Sequence, residues 1–192
     1  TLFPYTTLFR SRPRTPQRFL EDGEIIDLGR VTAEVIHIPG HSPGQLAFFF
    51  REPAVLFMAD CDLTPFGPWY GDRYSSIEDT IRSIHRLRSI PAKVWLTAHE
   101  TGVFESPPGN LWDAYLDVIE KREAALLNFL SAPRTIDEIV EQWIVYGKER
   151  KPREFFEYGE RAHMEKHLER LIRKDEVLLD AGRYQKTTPA AS

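Results

Sequence analysis

The chain has 192 residues, 42% hydrophobic and 28% charged, enough apolar material for one substantial core or two small ones and too much for wholesale disorder. A formal net charge of -4 offers no general attraction for nucleic acid or an anionic membrane, so any such role has to come from a local basic face. The single cysteine, Cys61, excludes an internal disulfide and a four-cysteine zinc knuckle and fits a reducing, cytoplasmic setting, and no apolar stretch approaches the roughly 20 residues that span a bilayer.

Thr1 to Ser11 has neither the basic-then-apolar layout of a signal peptide nor a small-residue cleavage site, and it is similar to translated adapter sequence. Residues 1–18 are therefore set apart as a non-native or disordered leader. From Glu24 onward short β-type runs alternate with turns: Glu24 to Leu28, Val31 to Ile38, Gln45 to Arg51, Ala54 to Ala59 and Val94 to Thr97. One helix interrupts them. A capping-box spacing at Ser75 and Glu78 predicts its start, and Ile77, Ile81, Ile84 and Leu87 give it a buried face. The loop Leu63 to Asp72 carries Phe66, Trp69 and Tyr70, rings that either line a pocket or fold back onto the core.

Ser106 to Gly109 marks a break, beyond which the pattern turns helical. Leu111 to Leu130 reads as one long helix, Thr135 and Glu138 open a second that runs to about Tyr146, and Arg161 to Lys174 forms a third. Val177 to Leu179 and Arg183 to Lys186 read as a hairpin, which completes a winged-helix order over residues 108–188, with 189–192 a disordered tail.

Three segments place a metal-binding residue type at the end of a strand: His41 in His37-Ile38-Pro39-Gly40-His41-Ser42-Pro43-Gly44, Asp60 in Leu56-Phe57-Met58-Ala59-Asp60, and His99 in Leu96-Thr97-Ala98-His99-Glu100-Thr101-Gly102. Neutral imidazole and carboxylate are natural donors to zinc, and strand ends stiffened by glycine and proline hold donors in fixed directions. His163 and His167, one helical turn apart, lack the acid directly after the first histidine that a helical zinc motif requires, and read as a solvated face. Cys61 reads as a buried structural thiol and His85 as a surface residue.

In order and context these segments resemble the metallo-β-lactamase superfamily over Glu24 to Phe104, the His-x-Pro-Gly-His-Ser-Pro-Gly turn being the most specific part. The resemblance implies an α/β chain: over residues 19–107 the second half of an αβ/βα metallo-β-lactamase sandwich, followed by a winged-helix-like α+β domain. It makes His41, Asp60 and His99 metal ligands, with Asp60 also catalytic as the residue that bridges two zinc ions, iron or manganese being acceptable to the same donors. Ala59 stands where the family usually has glycine, and Asp62 competes with Asp60 for the ligand role. The implied chemistry is attack of a metal-bound hydroxide on an ester, thioester or phosphodiester, with a small-molecule ester or thioester as the substrate class.

The family's upstream His-x-His-x-Asp-His motif is absent from the sequence, which predicts an N-terminally truncated fragment with weak metal binding and little activity. A sheet stripped of its companion would also expose an apolar face, so a homo-oligomer is expected. The tail offers the competing function, a winged-helix nucleic-acid or protein-binding module, because Arg161, Lys166, Arg170, Arg173 and Lys174 lie on or near its third helix. Glu160, Glu165, Glu169, Asp175 and Glu176 interleave with those cations and disfavour nucleic acid.

Overall fold

The computed structural model describes residues 16, 18–100 and 102–187. The expected leader falls almost wholly outside them, as does the 189–192 tail. Six strands form one sheet in chain order: β1 (Ile25–Asp27), β2 (Thr32–His37), β3 (Leu46–Phe50), β4 (Val55–Phe57), β5 (Val94–Leu96) and β6 (Val103–Phe104). The first five match the alternating apolar runs of the sequence. β6 is too short for any periodicity to announce it; it exists because the chain folds back beside Trp95 and Leu96.

Neighbouring strands are antiparallel except β4 and β5, which run parallel and are joined by helix α1 (Ile77–Arg88) as a crossover. Alternation sends Ile36, Ala47, Leu56 and Trp95 to one face of the sheet. There they pack with Ile84 and Leu87 of α1 and with Trp112 and Tyr115 of the next helix, α2 (Leu111–Phe129). The other face presents Phe48, Phe57 and Leu96, all half-buried.

The start of α1 differs by one residue from the capping-box expectation. Ser76 is the N-cap and accepts from the Asp79 N–H at 3.2 Å, while the Ser75 hydroxyl donates to the backbone carbonyl of His41 at 2.6 Å. A cap-type residue has been diverted to a tertiary contact, a use that local spacing cannot show.

The second half continues with α3 (Ile136–Val140), α4 (Arg153–Arg173) and the hairpin β7 (Val177–Asp180) with β8 (Arg183–Lys186). Thr135 and Glu138 form the expected capping box, and an isolated antiparallel bridge joins Arg134 to Tyr184. Two helix bounds need correction. α3 stops well short of Tyr146, because Trp143 adopts φ 50° and the N–H groups of Val145 and Tyr146 turn toward the buried Glu160 carboxylate at 2.9 and 3.3 Å. α4 starts eight residues before the expected Arg161, Pro152 serving as its N-cap, and Gly159 lets it press against Tyr146: a Cβ there would sit 3.2 Å from the Tyr146 Cζ. Among the described residues no helix is long and apolar enough to cross a membrane.

His163 and His167 are not a solvated face. Both are fully buried, packed against the Phe66 to Tyr70 loop. Tyr70 Oη lies 2.9 Å from His167 Nε2, and His167 Nδ1 lies 3.3 Å from Glu123 Oε2, so a neutral imidazole accepts from the phenol and donates to the carboxylate. Glu123 also receives Arg170 and, at 3.0 Å, Lys174. Burial pushes the Glu123 carboxyl up, but hydrogen bonds from His167, Lys174 and Arg170 outweigh it and bring it down to about 2. Burial, with Arg122 nearby, pushes His163 down to about 3, and burial likewise lowers His167. Helix periodicity misses these residues because the stripe they occupy is polar: His167 is met by Tyr70 and Glu123 from elsewhere in the fold, whereas His163 bonds through Nδ1 to the Gly159 carbonyl of its own helix, 2.8 Å away, and is covered by the rings of the Phe66 to Tyr70 loop.

The histidines set the acid stability. An unfolded histidine takes a proton below about 6.5, whereas folded His163 stays neutral down to about 3, so its contribution is complete above pH 6.5 and is lost as the pH falls toward 3. Glu123 acts in a lower window, its stabilisation present above about 4.5 and lost toward pH 2. His163→Phe is expected to flatten the decline of unfolding free energy between pH 6 and 4 by up to about 1.4 kcal/mol per pH unit, measured by urea denaturation at each pH. An unchanged slope would show that His163 titrates normally.

Candidate functional site at the sheet end

The connection from β2 to β3 is held from below by α1. Four of its carbonyls are taken by that helix or its approach: His37 by Arg86 at 3.0 Å, Pro39 by the Ser83 hydroxyl at 2.6 Å, Gly40 by the Ser76 N–H at 2.9 Å and His41 by Ser75 at 2.6 Å. Gly40 has φ 142°, and a Cβ on it would stand 2.6 Å from the backbone N and Cα of Thr80, so its close approach to the helix requires glycine. The His37 ring is spent inside the turn, its Nε2 2.7 Å from the Pro43 carbonyl oxygen. His41 projects from the far side, one third exposed.

Asp60 and His99 reach the same place by register. Phe57 and Leu96 are opposite each other on the parallel pair β4–β5, and each residue follows its strand partner by three positions. Ala59, the residue before Asp60, holds φ 49°, the left-handed conformation for which glycine is better suited. The His99 loop is closed by Thr97, whose hydroxyl donates to the His99 carbonyl at 2.8 Å and accepts from the Gly102 N–H at 3.2 Å.

All three residues singled out in the sequence converge. His99 Nε2 lies 2.8 Å from Asp60 Oδ1, His41 Nε2 lies 3.9 Å from Asp60 Oδ2, and Gln45 Nε2 donates to Asp60 Oδ2 at 3.2 Å. Asp62 faces elsewhere, accepting from the Thr64 N–H and hydroxyl at 3.1 and 3.0 Å in its own turn. Cys61 is buried, which raises its thiol pKa, and it belongs to the core rather than to the donor set.

The donor chemistry fits a divalent cation: two imidazoles and a carboxylate meet at a solvent-open strand end, His99 being 65% exposed. The spacing is that of a carboxylate–imidazole hydrogen bond, and among the described residues no group of three or more His, Cys, Asp or Glu is arranged to hold a metal ion. A narrow cavity of about 30 Å³ runs inward from His41, Gln45 and Asp60 past Pro68 and Trp69, room for a water molecule or two. The aromatic loop thus does both things open to it: Trp69 lines the cavity while Tyr70 is fully buried in the core. Gln45 and Ser75 were not legible as site residues. Gln45 sits in the glycine-proline turn itself, the one local hint; Ser75 acts through a contact distant in sequence.

Comparison with known proteins places this geometry. The family model described as the metallo-beta-lactamase superfamily matches residues 2–129, two thirds of the chain. The chain belongs to the metallo-beta-lactamase superfamily. It is similar to a hydroxyacylglutathione hydrolase of Methylococcus capsulatus, 40% identical over 83 residues, 42% of this chain and 31% of that protein. It is similar also to the lactamase-like protein nscB of Trichophyton equinum, 29% identical over 168 residues, 78% of this chain and 47% of that protein. Among solved structures, the superfamily protein TTHA1429 of Thermus thermophilus aligns at TM-score 0.70 and 26% identity, over 91% of this chain and 56% of that one. The chain therefore spans between about a third and just over half the length of these superfamily relatives.

Two substitutions test the local geometry. Gly40→Ala adds both backbone strain and a clash with the Thr80 main chain, and a loss of at least about 2 kcal/mol in denaturant unfolding is expected. Ala59→Gly relieves a left-handed alanine, and should stabilise by about 0.5–1 kcal/mol where the same change elsewhere would cost stability. A destabilised Ala59→Gly variant would show that the conformation carries no strain.

Proposed function

We propose that the chain carries one side of the active site of a metal-dependent hydrolase, with His41, Asp60 and His99 as metal-binding residues. The observation that carries it is the convergence of those three side chains from separate strand ends, in a family member, on one carboxylate. His41, Asp60 and His99 would be the residues that hold the metal, and Gln45, which donates to Asp60 Oδ2, would orient the carboxylate. A divalent zinc, iron or manganese ion, when bound there, supplies the activation of water and the polarisation of a carbonyl on which this type of hydrolysis depends. Three donors are too few for a tight site of this kind, so the described residues are expected to hold the metal weakly.

A small-molecule thioester is the proposed substrate. Support comes from relatives whose names describe such activity, the hydroxyacylglutathione hydrolase above and an acyl-coenzyme A thioesterase MBLAC2 of Gallus gallus, 33% identical over 82 residues, 41% of this chain and 28% of that protein. Residues 108–188 are proposed to form a winged-helix-like unit, which the order of α3, α4 and hairpin and the Arg134–Tyr184 bridge supports. Its role is proposed as packing rather than nucleic-acid binding, because the five cations singled out on or near α4 are engaged within the chain: Arg161 with Asp137, Lys166 with the Arg73 carbonyl, Arg170 and Lys174 with Glu123, and Arg173 with Glu78. The half-buried Phe48, Phe57 and Leu96 face is the surface through which a homo-oligomer would form.

Zinc titration by calorimetry tests the ligand assignment. The chain is expected to bind zinc weakly, and His41→Ala, Asp60→Ala and His99→Ala are each expected to weaken it by at least about tenfold with the fold intact by circular dichroism. Zinc affinity unchanged in all three variants would remove the assignment.

A further inference from the structure

Pro68 and Trp69, from the loop after β4, form one wall of the cavity beside Asp60; the others come from the residues that follow β2 and β4, from α1 and from Tyr115 of α2. α2 grips that loop. Arg122, on the buried side of α2 and only 3% exposed, donates to the Phe66 carbonyl at 2.7 Å, to the Pro68 carbonyl at 3.4 Å and to Tyr70 Oη at 3.0 Å. Its guanidinium also lies over the Phe66 ring, 4.9 Å from the centroid. A planar fork with five donors in fixed directions holds three points of one loop with less freedom to lose than the compact, rotatable ammonium of a lysine.

The loop is held on its other sides as well. Gly67 has φ 82° and sits so close to α2 that a Cβ would be 2.6 Å from Val118 Cβ, and the edge of the His163 ring meets Trp69 at 4.4 Å between centroids. Tyr70, gripped by Arg122, donates its own hydroxyl proton to His167, so the same arginine joins the loop to α4. Burying a guanidinium is costly unless its donors are satisfied, and here the acceptors that satisfy it are the backbone of the segment that flanks the cavity.

We propose that Arg122 is a positioning residue for the site: it fixes the Pro68–Trp69 wall beside Asp60 and thereby sets which acyl groups can approach that carboxylate. The assignment rests on the hydrolase function proposed above. It gives the helices after residue 110 a role in selecting substrate, although no residue of theirs belongs to the donor set.

The test uses the whole chain with Arg122→Met and Arg122→Lys, each checked for a cooperative melt, and with zinc present. p-Nitrophenyl acetate and p-nitrophenyl butyrate are the probes. Arg122→Met is expected to shift the butyrate-to-acetate ratio of kcat/KM by about tenfold, through KM, with kcat for acetate within about twofold of the parent, and Arg122→Lys to recover part of the shift. Equal loss of kcat on both esters, or no change in either, would overturn the specificity role. In parallel, 5-fluorotryptophan is incorporated and the Trp69 fluorine resonance is assigned by its loss in Trp69→Phe. Displacement or broadening of that resonance in Arg122→Met, with those of Trp95 and Trp112 unmoved, is expected. An unmoved Trp69 resonance overturns the proposal even if neither ester is hydrolysed, whereas a moved resonance without hydrolysis by the parent sinks the hydrolase function and leaves the grip of Arg122 on the loop established.

Discussion

The connection between β2 and β3 lies flat on α1, and most of what is distinctive in the first half follows from that contact. Carbonyls of His37, Pro39, Gly40 and His41 are met by Arg86, Ser83, Ser76 and Ser75, each from the helix or its first residues. A loop with so many of its acceptors satisfied by one rigid element has little freedom left, and the cost of ordering it is spread over several bonds rather than placed on the side chain of His41. The helix therefore acts as crossover, core element and template in one. It joins two parallel strands, buries Ile84 and Leu87 beneath the sheet, and presents a polar row on which the turn is moulded.

Once that turn is in place, the rest of the site follows from strand geometry. β4 and β5 run in the same direction, so their C-terminal ends lie side by side, and residues at equal distances beyond paired positions arrive together. Asp60 and His99 do so. Both are preceded or followed by non-glycine residues with positive φ, Ala59 at 49° and Glu100 at 57°, so local conformational preference yields there to the course of the chain around the two side chains. His41 completes the cluster from the antiparallel side.

The helical half contributes through a buried polar layer. Tyr70, Arg122, Glu123, His167 and Arg170 exchange hydrogen bonds in a region where water is excluded, and each donor or acceptor is satisfied by a residue from a different element. Such a layer adds less net stability than an apolar one of equal size, but it tolerates few alternative arrangements. It fixes how α2 and α4 meet the aromatic loop; burial there keeps His163 neutral well below the range where free imidazoles protonate, and it lowers the pKa of His167 as well.

Much of this was legible in the residues themselves. Period-two runs located five strands within a residue or two, the long helix from Leu111 was evident from its apolar spacing, and the segments bearing His41, Asp60 and His99 stood out because in order and context they resemble those of the metallo-β-lactamase superfamily. Those features are local, set by the backbone preferences of a few neighbouring residues. What the sequence could not decide were the facts that need a second element to exist: that Ser75 caps a turn and not its own helix, that β6 pairs with β5, that Trp143 ends α3, and that His163, His167 and Arg122 are interior. A polar side chain carries no sign of burial in its own neighbourhood, because the groups that cover it come from tens of residues away, and only the tertiary fold brings them into contact.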